Sequence, residues 1–178
     1  MAARDTRAAL LDAAAAVLRQ SGARGLTLNA VAAEAGVSKG GLLYHFPSKA
    51  ALLDALVDGW NEAFEASADE QAGAGPGGWT RGYLQASLGG GSFSPETEAG
   101  LLAALAEESA RLDTVRTRFQ AWQQRLADDG VDPAVAALVR AAADGLWLAD
   151  LLDLAPPSPE LRAQVVELLE RLLDDATG

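Results

Sequence analysis

Apolar side chains recur along most of the chain at spacings of three and four residues, and no stretch alternates steadily between apolar and polar positions. Spacings of three and four place side chains on one face of an α-helix, whereas steady alternation is typical of a half-buried strand. Alanine and leucine, which both favour helices, are abundant throughout. The pattern therefore predicts an all-α fold of about nine helices.

Capping and helix-ending residues indicate where these helices begin and end. Thr27, Ser38 and Ser48 are good N-caps for a second, third and fourth helix, because their hydroxyls can bond the free amides of a first turn. The second helix is predicted to end at Gly36, and the third helix before Pro47. The nine predicted helices begin near residues 6, 27, 38, 48, 79, 94, 112, 132 and 158.

The eighth and ninth predicted helices carry a wide apolar surface. A helix that is apolar almost all round is buried on more than one side. The eighth could be the central helix of a monomer, or both helices could pack on the body with one face and on a second subunit with the other. We favour this second arrangement, a four-helix interface of a homodimer. The residues assigned to the interface are Leu138, Ala142, Gly145, Ala149, Leu152, Leu161, Val165, Leu168, Leu169 and Leu172.

Composition limits the chemistry that the chain can perform. The absence of cysteine excludes disulfides and a cysteine nucleophile, and a single histidine argues against a histidine metal site. We therefore predict no catalytic residue, no metal and no cofactor, and keep a small α-helical enzyme with isolated carboxylates as a less favoured alternative. The sequence has no signal peptide and no apolar run of membrane-spanning length, so we expect a cytoplasmic protein.

Charge is unevenly distributed along the chain. Residues 1–50 hold six basic and three acidic side chains, whereas the remainder holds 8 basic and 22 acidic ones. An acidic protein with one basic end is typical of a chain whose basic end meets a polyanion. Both lysines and the histidine fall in one short stretch, VSKGGLLYHFPSKAALL.

The second and third predicted helices, joined by a short turn, have the dimensions of a helix-turn-helix. In that motif the second helix enters the major groove of DNA. Leu42 and Phe46 are four residues apart and share the natural core face of the third helix. Gly40 and Tyr44 point nearly opposite, so this face is predicted to be free for a partner.

The side chains around this face suit a polyanion. Lys39 can reach a phosphate or a guanine edge, and Tyr44 and His45 can donate to phosphate oxygens. Lys49, in the first turn of the fourth helix, opposes the helix dipole, so it serves an external anion better than it serves the helix. Thr27 can offer its hydroxyl to the same strand. For His45, a half-buried, hydrogen-bonded role is the alternative.

The segment GLTLNAVAAEAGVSKGGLLYHFPSKAALLDAL resembles the N-terminal DNA-binding domain of TetR-family transcriptional regulators. The similarity lies in the Thr27 cap, the VAAEAGVS helix and turn, the LLYHF recognition helix and the start of the following helix at PSK, and it covers about residues 6–53. It implies a three-helix DNA-binding domain over residues 1–47 and a larger helical effector-binding and dimerisation domain over residues 48–178. The implied function is a repressor that a small-molecule ligand releases from a pseudo-palindromic operator.

The resemblance also implies which residues contact DNA. The contact role falls on Thr27, Ser38, Lys39, Gly40, Gly41, Tyr44, His45 and Lys49. Leu43 stands where an aromatic residue is frequent in the family, so a phosphate contact is missing there or Leu43 touches a thymine methyl. Gly41 and Ala51 replace a frequent threonine and a frequent acidic residue, which leaves the base preference open.

The effector site is predicted from aromatic residues of the predicted middle helices. The residues assigned to it are Trp60, Tyr83, Phe119, Trp122 and Trp147. Pockets for apolar ligands are lined in this way, and so are cores, so both interpretations stay open. A helical dimer whose N-terminal end binds a protein instead of DNA is the remaining alternative.

Overall fold

The structure, a computed structural model, describes residues 3–89, 93–107 and 112–177, and within these ranges it contains nine α-helices and no β-strand. The predicted all-α fold is thereby confirmed. The helices are α1 (Ala3–Gly25), α2 (Leu28–Glu34), α3 (Lys39–His45), α4 (Lys49–Gln71), α5 (Gly78–Leu88), α6 (Pro95–Glu107), α7 (Leu112–Ala127), α8 (Pro133–Leu152) and α9 (Pro159–Thr177).

The three predicted N-caps form as the sequence indicates. The hydroxyls of Thr27, Ser38 and Ser48 each accept a hydrogen bond from the backbone amide three residues later, at 3.1 Å in every case. Each such cap stabilises its helix by about 1 kcal/mol. Gly36 adopts the left-handed backbone (φ 66°) that closes the turn between α2 and α3. Gly22 (φ 63°) kinks α1 near its predicted end.

The chain forms two compact units, which we name the N-terminal unit (Met1–Asn61 and Phe93–Val115) and the C-terminal unit (Glu62–Ser92 and Arg116–Gly178). In the N-terminal unit, α1 packs against α2 and α6, and α2 against α3. A Cβ atom on Gly100 of α6 would lie 3.3 Å from the backbone oxygen of Leu18, so α6 and α1 approach closely. The proposed boundary at residue 47 stays a prediction, because this unit also contains α6 and the start of α4.

The C-terminal unit is built on close contact between α4 and α5 and between α5 and α8. A Cβ atom on Gly82 of α5 would lie 2.1 Å from the backbone oxygen of Ala68 in α4, so only glycine permits this crossing. The start of α5 has no capping side chain of its own, and the carboxylate of Asp129 accepts from the backbone amides of Trp79 (3.2 Å) and Thr80 (2.7 Å) instead. The turn that follows α7 therefore fixes the beginning of α5.

Candidate functional site

The recognition-helix candidate, α3, has one buried and one exposed face. Leu42 and the capping residue Phe46 are buried, as their spacing predicts, whereas Tyr44 is 83% exposed. Lys39, at the start of the same helix, is exposed as well. A nearly fully exposed tyrosine contributes little to a core, so this side chain is available to a partner.

Gly40 and Gly41 lie exposed in the first turn of α3, and no internal contact requires them to be glycine. A Cβ atom would come no nearer than 3.9 Å to other protein atoms at Gly40 and 3.4 Å at Gly41. Neither residue has a positive φ. Glycine inside a helix costs up to about 1 kcal/mol relative to alanine. A surface that another molecule approaches closely is a reason for glycine here that the fold itself does not supply.

The remaining predicted contacts border this face. Thr27 and Ser38 are exposed, and although their oxygens accept capping bonds, each hydroxyl proton is still available to a partner. His45 is half-buried, with its ring edge-on to that of Tyr44 at 5.1 Å between centroids. Lys49 is half-buried in the first turn of α4, which holds no acidic residue. These four side chains could each donate a hydrogen bond to an external anion.

Leu43 is 37% exposed and points away from the core of the N-terminal unit. It is the apolar member of a surface that otherwise carries lysine, glycine and tyrosine. An exposed leucine on a recognition helix can contact a thymine methyl group but cannot donate to a phosphate. This exposure agrees with the possibility, left open by the sequence, that Leu43 touches a thymine methyl group.

Arg7 is a candidate that the sequence analysis missed. Its guanidinium carbon lies 5.3 Å from the centre of the Phe46 ring, and the residue is exposed. The ion pairs found among the described residues do not include Arg7. The contact joins residues 39 positions apart, so no local spacing could have indicated it. An arginine held on an aromatic ring is an oriented positive charge.

Three of the five predicted effector-site aromatics lie together in the C-terminal unit. The ring centroids of Phe119 and Trp122 are 4.9 Å apart, and those of Tyr83 and Trp122 are 6.1 Å apart. Phe64 joins this aromatic cluster, 5.0 Å from Tyr83. Trp147 is half-buried on α8.

Trp60, the fifth predicted member, belongs to the N-terminal unit. It is buried there, and its indole nitrogen donates to Glu98 at 3.1 Å. The structure therefore gives Trp60 a buried hydrogen bond inside its own unit.

Polar groups of the aromatic cluster are paired with charged neighbours. The Tyr83 hydroxyl donates to Asp144 at 2.6 Å, and Asp144 also faces Arg140 at 3.4 Å. Burial, and then the negative charge of Asp144, raise the pKa of Tyr83 far above its usual value, so the phenol stays protonated. The Trp122 indole nitrogen donates to Glu65 at 2.6 Å. The cluster is thus fixed by directional bonds as well as by apolar contact.

The predicted dimer stripe is largely exposed on α8 and α9. Leu138, Leu152, Leu161 and Leu168 are each about half exposed. Gly145 is exposed, and Ala142, Ala149, Val165 and Leu172 are half-buried. Leu169 instead lies in the core of the C-terminal unit, so within one subunit its side chain is already covered. Exposed leucines along two helices mark an interaction surface more often than a bare monomer surface.

Within residues 3–89, 93–107 and 112–177, no group of three or more histidine, aspartate or glutamate residues is arranged to hold a metal ion. No helix in these ranges is both long enough and apolar enough to cross a bilayer.

Both parts of the chain match family models. Residues 10–56 match the model described as bacterial regulatory proteins, tetR family. Residues 77–174, more than half of the chain, match the model described as the tetracyclin repressor-like C-terminal domain. No curated protein shows significant sequence similarity to the chain.

Several solved structures resemble the chain over nearly its whole length. A putative TetR-family transcriptional regulator from Rhodococcus sp. is 25% identical, with 96% of this chain and 99% of that chain covered and a TM-score of 0.71. A TetR-family member from Streptomyces coelicolor A3 is 27% identical, with 95% and 98% covered and a TM-score of 0.69. The multidrug binding protein EbrR, complexed with imidazole, is 26% identical, with 95% and 90% covered and a TM-score of 0.68. The chain belongs to the TetR family of DNA-binding transcriptional regulators.

Proposed function

We propose that the protein is a repressor that binds a pseudo-palindromic operator as a homodimer and leaves it when a small, largely apolar molecule binds the helical domain predicted over residues 48–178. The observation that carries this proposal is the exposed face of α3, where Gly40, Gly41 and Tyr44 are open to a partner. Ligand-responsive repression is typical of the family, and the family is a class of regulators rather than of enzymes.

The proposed DNA interface combines base and phosphate contacts. Lys39 and Leu43 project from α3, so they are assigned to base edges in the major groove, with Leu43 on a thymine methyl. Tyr44, His45 and Lys49 are assigned to phosphates, which position the helix without selecting a sequence. The hydroxyls of Thr27 and Ser38 add neutral phosphate contacts at two helix N-termini, where partial positive charge favours an anion.

Arg7 extends this interface in our proposal. Phe46, on which its guanidinium lies, ends α3, and Lys49 follows only three residues later. Consecutive Cα atoms are about 3.8 Å apart, so Phe46 and Lys49 are within about 11 Å of each other along the backbone. Arg7 and Lys49 can therefore serve neighbouring phosphates of one strand.

The dimer interface is assigned to α8 and α9, and the effector site to the helical domain predicted over residues 48–178. The exposed leucines of α8 and α9 support a two-fold interface, and a two-fold dimer matches an operator with two related half-sites. The aromatic cluster supports a largely apolar effector. A structural neighbour, EbrR, is described as a multidrug binding protein in complex with imidazole. This similarity also supports ligand binding. A cytoplasmic location and the domain boundary at residue 47 remain predictions.

Selection of bound fragments from genomic DNA tests the proposal. Tagged full-length protein is mixed with sheared DNA of its own source, and retained fragments are sequenced. We expect enrichment of a small number of fragments that share an inverted repeat upstream of coding regions, because a symmetric dimer reads two half-sites. Retention of fragments with no common sequence, or of none, contradicts sequence-specific regulation. In that case a protein partner for the N-terminal end becomes the better interpretation.

A further inference from the structure

Asn61, in the middle of α4, is fully buried, and neither the nitrogen nor the oxygen of its side-chain amide has a hydrogen-bond partner. These are the two buried side-chain polar atoms without a partner among the described residues. Buried polar groups in proteins are nearly always hydrogen-bonded, so each exception requires a physical explanation.

Other buried polar side chains of the N-terminal unit do find partners within the protein. The preceding residue, Trp60, donates its indole N–H to Glu98. Thr97, also buried, donates its hydroxyl to the backbone oxygen of Ala15 at 3.4 Å. These polar groups are therefore paired across helices, whereas the donor and the acceptor of the Asn61 amide have no partner in the protein.

An unpaired buried amide lowers the stability of the fold. The side chain has lost its bonds to water and gained none in return. A leucine has the same branched skeleton, although it is larger, and carries no polar atom that would suffer that loss. Asn61 therefore does not serve the stability of this conformation, which points to a partner outside the chain.

We propose that Asn61 is the polar anchor for the effector, and that the effector is a neutral molecule carrying an adjacent acceptor and donor, such as a carboxamide, a lactam or a cyclic urea. The acceptor takes a hydrogen bond from Nδ2 while the donor gives one to Oδ1. A neutral amide offers no compensating charge, so an ionic effector group at this position is disfavoured. This inference rests on the proposed function as a ligand-responsive regulator.

Full burial of Asn61 also has a kinetic consequence. A ligand reaches the amide only after covering side chains move aside. We therefore expect slow association, because rates fall when binding requires a conformational change.

A matched pair of probes tests the inference on the full-length protein. 2-Pyrrolidinone has an adjacent N–H and carbonyl, whereas cyclopentanone has the same ring size and carbonyl but no N–H. Binding is measured by NMR titration of the tryptophan indole signals. We expect the lactam to bind wild type at least tenfold more tightly than the ketone, and this preference to be lost in Asn61→Leu. Equal binding of the two probes, or binding of neither, overturns the proposal.

Thermal unfolding supplies an independent readout. Asn61→Leu without ligand is expected to raise the Tm by about 2–4 °C, because it removes two unpaired polar atoms from the interior. The control is Asn29→Leu at an exposed position of α2, which is expected to leave the Tm nearly unchanged. A lower Tm for Asn61→Leu shows that the amide is already satisfied, and overturns the proposal. Operator binding by wild type is measured on the same preparation. If wild type binds its operator, a negative result concerns the role of Asn61 alone and leaves the proposed function as a regulator standing.

Discussion

Gly82→Ala is expected to lower the free energy of unfolding by about 3 kcal/mol, because its new methyl group would lie 2.1 Å from the backbone oxygen of Ala68. Real carbon and oxygen atoms do not approach so closely, and the obstructing atom belongs to a helix backbone, so α4 and α5 must separate. Their separation would also disturb Tyr83, the neighbour of Gly82 in the core. For a chain of this length the loss corresponds to a fall in Tm of about 6–12 °C.

The same helix pair provides a matched control. Gly59 lies in α4, and a Cβ atom there would meet nothing within 4 Å. Gly59→Ala is therefore expected to raise stability by about 0.5–1 kcal/mol through helix propensity alone. Chemical denaturation of both variants checks the pair. If Gly82→Ala is as stable as wild type, the close crossing of α4 and α5 is wrong.

Leu168→Glu is expected to convert the proposed dimer into monomers. The side chain is about half exposed on α9 within one subunit, and two-fold symmetry would bring two new carboxylates into the same interface. Burying unpaired charges is strongly unfavourable. Because the dimer holds two recognition helices together, its loss is expected to weaken binding to a two-half-site operator by at least about 100-fold.

Ala163→Glu is the control for this charge. Ala163 is exposed on the same helix, about 140° away from Leu168 on an ideal helix wheel, and receives the same side chain. Sedimentation equilibrium measures the mass of both variants. We expect a monomer for Leu168→Glu and a dimer for Ala163→Glu. An unchanged mass for Leu168→Glu would place the interface elsewhere. Leu169 is unsuitable for this test, because it lies in the core and its replacement would unfold the subunit.

Features set by neighbouring residues were predictable from the sequence. The caps at Thr27, Ser38 and Ser48 each depend on a hydroxyl and an amide three residues apart, so the helix starts followed directly. The burial of Leu42 and the exposure of Tyr44 follow from helical periodicity. This local information predicted which face of the recognition-helix candidate is buried and which is exposed.

Features that join distant parts of the chain were not predictable. The contact of Arg7 with Phe46 and the capping of α5 by Asp129 depend on how helices pack, which spacing does not reveal. Leu168 and Leu169 are adjacent and equally apolar in sequence, yet one is half exposed and the other buried. The unpaired amide of Asn61 could not be found either, because a sequence gives no account of which polar atoms are satisfied.

The salt dependence of operator binding tests the central claim, that the face of α3 with its flanking cations binds DNA. Fluorescence anisotropy gives the association constant of the selected operator at several salt concentrations. Each phosphate contact contributes about −0.9 to the slope of log K against log[salt]. Lys49→Ala and Arg7→Ala each remove one contact per subunit, so each is expected to make the slope of the dimer shallower by about 1.8.

Arg19→Ala is the matched control within the same titration. Arg19 is an exposed arginine of the same helix as Arg7, about 18 Å further along its axis. We expect its slope to equal that of wild type, while that of Lys49→Ala is shallower by about 1.8. An affinity that does not depend on salt, or equal slopes for Lys49→Ala, Arg19→Ala and wild type, would contradict a DNA interface at this face.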